Sequence, residues 1–108
     1  MTRLVQMRYD VTRTMLNEKG EVLKDGEAPL TVKLAWEKAL LSEFSAVPGQ
    51  LVPTDEKLRR YRLWLKIAGA NGSVELTSEE VGTIRACLPL FVTLVYGQLL
   101  DILDGGNA

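Results

Sequence analysis

The sequence predicts an α+β fold: an N-terminal β-hairpin packed on a small bundle of three to four helices, the last kinked or split at a proline. Three observations carry this. Residues Gln6 to Leu16 partly alternate, with Met7, Tyr9 and Val11 on one side and Arg8, Asp10 and Thr12 on the other, the period-two signature of a half-buried strand. From Thr31 onward, apolar residues recur at helical spacing behind recognisable start signals. Pro89 then interrupts the longest apolar segment, where a missing backbone donor and a clash with the preceding turn must bend or divide a helix.

The first strand runs into Asn17-Glu18-Lys19-Gly20, a polar turn, and Glu21 to Lys24 follows as the expected partner strand. Thr31 is placed to cap a helix from Val32 to Phe44, with Leu34, Leu40, Leu41 and Phe44 as its apolar stripe and Trp36 alongside. Val47-Pro48-Gly49 breaks that helix, and Ser45 to Thr54 reads as a loop. Asp55 to Ala68 has the clearest amphipathic pattern: Leu58, Tyr61, Trp64, Leu65 and Ala68 share one face. Thr54 or Asp55 is its expected cap, with Asp55 and Glu56 suited to the positive end of the helix dipole. After Asn71-Gly72, Val74 to Leu76 reads as a short extended segment. Thr77-Ser78-Glu79-Glu80 is then a capping box, with Leu76 and Val81 at hydrophobic-staple positions, which starts a helix at Ser78. Leu90 to Leu103 completes the chain before Asp104-Gly105-Gly106. One domain spanning 1–108 is expected, with 1–5 and 105–108 as disordered tails. Trp36, Phe44, Tyr61, Trp64, Leu65, Ile84, Leu88, Leu94 and Leu99 are the expected core.

Composition narrows the function. The chain contains no histidine and a single cysteine, which removes most routes to acid–base, thiol–imidazole or metal chemistry near neutral pH. Its net charge of −1 argues against a generally cationic nucleic-acid binder. One cysteine cannot form an internal disulfide, and Met1 to Arg8 lacks the apolar core of a signal peptide. The expected location is therefore the cytoplasm, with no membrane span.

Four constellations remain. Leu88 to Leu100 is apolar almost all round, so it forms the central core helix or a surface for a second copy. Phe91, Val95, Tyr96 and Leu99 are the candidate self-association residues. Lys57, Arg59, Arg62 and Lys66 form a basic stripe that could follow a phosphate backbone, although a charged outer face is the ordinary result of solvation. Asn71, Ser73 and Glu75 around Gly72 copy the middle of a calcium loop, but the first, third and twelfth ligand positions fall on Ile67, Gly69 and Ser78, which do not serve. Cys87 has no activating histidine, no glycine pattern matches a phosphate loop, and no catalytic, cofactor or metal residues are assigned.

Glu56-Lys57-Leu58-Arg59-Arg60-Tyr61, Val74 to Glu80, and Leu94-Val95-Tyr96-Gly97-Gln98, together with the early Gly26-Glu27-Ala28-Pro29-Leu30-Thr31, resemble short proteins carried by tailed bacteriophages and prophages. The likeness covers roughly residues 20 to 104, and the Val47 to Pro53 loop is longer than that pattern has. The resemblance implies a phage or prophage origin and carries over no catalytic residue. The expectation is a phage-related, non-enzymatic protein-protein interaction or assembly protein, a homo-oligomer or a partner of another phage protein. The alternative is a nucleic-acid-associated accessory protein using the basic helix face.

Overall fold

The computed structural model describes residues 6–45 and 48–105. Residues 1–5 and 106–108 of the expected tails, and Ala46 and Val47 of the expected loop, lie outside the described residues. The α+β class holds, with two small antiparallel sheets and four α-helices among the described residues.

Strand β1 (Gln6–Asp10) does not pair with its neighbour in sequence. It pairs antiparallel with β4 (Ser73–Thr77), setting Met7 opposite Leu76 and Tyr9 opposite Val74. Directly opposed residues share a face, so these four side chains face the core while Arg8 and Glu75 oppose each other outside. The segment expected to complete the hairpin keeps a single bridge, Leu16 to Val22. Its residues Lys24–Asp25 (β2) turn back on Ala28–Pro29 (β3) instead. The cause is local: the Asn17 side-chain oxygen accepts from the amides of Lys19 (2.8 Å) and Glu21 (2.9 Å), curling the chain where the alternation fails at Met15 and Leu16. The ladder of β1 is prolonged by the Val11 amide, which donates to the Gly72 carbonyl at 3.1 Å. Gly72 reaches that position at φ +88°, a conformation that side-chain-bearing residues rarely adopt.

Helix α1 (Val32–Leu41) starts as expected, with the Leu34 amide donating to the Thr31 hydroxyl at 3.1 Å. It stops at Leu41 rather than Phe44, because Ser42 is extended and its hydroxyl donates back to the Ala39 carbonyl at 2.7 Å. Its inner face is Val32, Ala35, Trp36, Ala39 and Leu40, and Leu41 is exposed. Trp36 meets Tyr9 edge to face, with centroids 5.5 Å apart, and the Tyr9 hydroxyl donates to the Leu103 carbonyl at 2.8 Å. That contact joins the first strand to the last helix.

Helix α2 (Thr54–Ala68) follows Pro53, which occupies the cap position without a side-chain hydrogen bond, so neither Thr54 nor Asp55 caps it. The capping box at Thr77 is complete: the Glu80 amide donates to the Thr77 hydroxyl (3.2 Å) and the Thr77 amide to the Glu80 carboxylate (2.9 Å). Helix α3 (Ser78–Cys87) begins there. Pro89 divides the apolar stretch, sitting in a 3-10 turn (Leu88–Leu90) where its missing donor is harmless. Helix α4 (Thr93–Gly105) then inserts Val95, Leu99, Ile102 and Leu103 into the core, and Gly105 belongs to its last turn rather than to a tail.

Candidate contact surface

The residues that matter lie on α2. Its inner face is Arg60, Leu63 and Ile67, at i, i+3 and i+7. The stripe expected to be core is turned outward: Leu58, Tyr61 and Leu65 are 48%, 50% and 48% exposed. Of the expected core, Trp36, Ile84, Leu88 and Leu99 are buried, Phe44 and Trp64 are half-buried, and Leu94 joins the exposed residues.

Arg60 explains the rotation. Only 5% exposed, it donates through Nη1 to the Ser42 carbonyl (3.2 Å), through Nη2 to the Phe44 carbonyl (2.9 Å) and through Nε to Glu56 (3.2 Å). The guanidinium fork satisfies carbonyls left over beyond the end of α1, and burial of its charge is matched by the Glu56 carboxylate. Arg60 therefore faces inward and carries Leu63 and Ile67 with it. The richer apolar stripe is left on the outside.

That stripe has two different flanks. On one side Tyr61 stacks with Trp64, centroids 6.1 Å apart. On the other stand Asp55, Arg59 and Arg62, at the rim of a groove of about 380 Å³ between α2 and α3 that is also lined by Leu58, Glu79 and Glu80, and Lys66 follows them on the same flank. Three of the four cations proposed for nucleic-acid contact are already matched. Lys57 pairs with Glu43 at 2.8 Å, Lys66 with Glu80 at 2.8 Å, and Arg59 with Glu56 at 3.3 Å and Asp55 at 3.7 Å. Arg62 has no ion pair among the described residues. The four side chains do share the outer half of α2, but the carboxylates between them leave no continuous positive stripe. Burial opposes ionisation of Glu80, yet the Lys66 ammonium and the Thr77 amide overcome it and hold its carboxyl below the usual glutamate value.

The four residues proposed for self-association on the last helix are split. Val95 and Leu99 are inside the molecule's own core, while Phe91 and Tyr96 are half-buried beside Pro89 and Thr93. A helix apolar on nearly all sides is accommodated here because β1, α3 and the chain around Met15 cover it. The Gln98 side chain completes that cover, accepting from the Leu16 amide at 2.8 Å and donating to the Leu16 carbonyl at 2.7 Å. Leu90, Val92 and Leu94 are what this region exposes. Cys87 is buried and burial pushes its thiol up, away from the reactive thiolate. Among the described residues no group of three or more His, Cys, Asp or Glu side chains could hold a metal ion, and no helix is long and apolar enough to cross a membrane.

The reading from sequence missed Leu58, Tyr61 and Leu65 as surface residues. The signal that could have found them was the arginine at 60: a large polar side chain opposite the best apolar stripe needs a partner of its own. Comparisons of the chain with protein-family models, with curated proteins and with solved structures return no match.

Proposed function

We propose that this chain is a phage-related, non-enzymatic protein that works by contact with another protein chain, its own copy or another phage protein, through the outer face of α2. The observation that carries this is Leu58, Tyr61 and Leu65 standing half-exposed in one line on an ordered helix. Single exposed apolar residues are ordinary, but an aligned set flanked by an aromatic pair and a charged rim has the make-up of a contact surface. The resemblance to short phage proteins supplies the setting. No observation favours duplex binding, since Lys57, Arg59 and Lys66 are already held by carboxylates.

A photo-cross-linking amino acid at Leu65, introduced into cells that naturally produce the protein, tests this. Discrete adducts are expected at Leu65 and not at Glu75, which is exposed on β4. Equal, diffuse labelling at both positions would remove α2 as the contact face.

A further inference from the structure

The flank of Leu58 that carries Asp55 and Arg62 is self-complementary in charge, and from it we infer that the occupant of this face is a second copy of the chain, with the two α2 helices antiparallel about a twofold axis at Leu58. The inference rests on α2 being the contact face and adds the partner and the register.

In an antiparallel pair related by a twofold, the same flank of both helices meets, and a residue a given distance before the axis faces one the same distance after it. Asp55 stands three residues before Leu58 and Arg62 four after it, on one flank. At 1.5 Å per residue, Asp55 of one copy comes within about 1.5 Å of the level of Arg62 in the other, and the twofold makes this pair twice. Both side chains are available for it. Among the described residues Arg62 has no ion pair, and Asp55, 80% exposed, has only the long 3.7 Å ion pair to Arg59.

The apolar residues fit the same register. Leu58 meets its own copy at the axis, with Tyr61 one turn away on each side. Leu51 lies just ahead of the first turn and is 91% exposed, at the end that the partner's Leu65 reaches. The register also brings Lys57 near its own copy beside the axis, but each is held by its own Glu43 at 2.8 Å. The parallel arrangement makes no Asp55–Arg62 contact and sets Lys57 against the partner's Arg62 twice. With the axis at Leu58 the two helices overlap over residues 54 to 62, about 13 Å of contact length, so the interface is smaller than that of most specific dimers and its dissociation constant is expected near the hundred-micromolar range.

The test is sedimentation of the full chain from a few micromolar to several hundred micromolar, with two opposite charge changes. Wild type is expected to shift reversibly from one chain to two. Arg62→Asp and Asp55→Arg should each weaken the dimer at least tenfold, since each creates two like-charge pairs. Mixed in equal amounts, the two variants should dimerise with each other, because the mixed pair restores both Asp–Arg contacts. Urea midpoints at low concentration confirm that each variant is folded. Failure of the mixture to recover, or assembly beyond two chains, overturns the register. Wild type remaining a single chain at the highest concentration overturns the second copy as occupant, and adducts to a different protein at Leu65 would then still support α2 as the contact face.

Discussion

Leucines 63 and 65 are two residues apart on α2, and truncating each to alanine separates the observed orientation of the helix from the one its apolar pattern suggests. Leu63 is 4% exposed and Leu65 is 48% exposed. Leu→Ala removes three carbons, worth about 2.4 kcal/mol of transfer free energy at full burial. At Leu63 a residual cavity term is added, bringing the expected loss to about 3 kcal/mol. At Leu65 roughly half the transfer term applies and no enclosed cavity forms, while alanine is slightly the better helix former, so the loss is about 1 kcal/mol. With a urea dependence of about 1.4 kcal/mol per molar for a chain of this size, the midpoint should fall by about 2 M for Leu63→Ala and by less than about 1 M for Leu65→Ala. The assay is equilibrium urea unfolding by tryptophan fluorescence at a few micromolar, low enough that a weak dimer does not contribute. Equal losses, or the larger loss at Leu65, would show that the helix is turned the other way and that the exposed stripe does not exist.

Other expected outcomes concern the groups that set this geometry. Arg60→Met keeps the bulk but leaves the Ser42 and Phe44 carbonyls without their partner and Glu56 with Arg59 alone, and should cost about 3 kcal/mol in the same urea assay. A loss under about 1 kcal/mol would mean that the buried fork does not orient α2. The Glu80 carboxyl is held below its usual value of 4.5, so its contribution to stability is complete above that pH and is lost as the pH falls through the lower folded-state value. Unfolding followed from pH 6 down to pH 3 should therefore show a shallower acid loss in Glu80→Gln than in wild type, and parallel curves would contradict it. Val95→Asp buries a carboxylate with no partner and should unfold the chain outright rather than alter its mass, read by loss of the cooperative thermal transition. A folded Val95→Asp variant would place that residue at the surface.

Much of this molecule is settled by local chemistry. The capping box at Thr77 forms where its residues stand, because each partner is within one helical turn of the other. Pro89 divides the apolar stretch for the equally local reason that it lacks a donor. Thr31 opens α1, and the Asn71-Gly72 turn delivers β4, since only glycine takes that backbone conformation cheaply. The elements and their class follow from such short-range rules. What pairs with what does not. Strand β1 finds β4, more than sixty residues away, because β4 offers Val74 and Leu76 in register with Tyr9 and Met7, while Asn17 curls the nearer segment aside. The orientation of α2 likewise depends on carbonyls at Ser42 and Phe44 that no pattern within the helix encodes. A periodic apolar stripe says that one side of a helix will be covered, but not by what. Here the chain covers the poorer side, around a buried arginine, and leaves the richer one exposed. The last helix is the converse: its all-round apolarity suggests a surface awaiting a partner, and the tertiary structure supplies that partner from within the same chain.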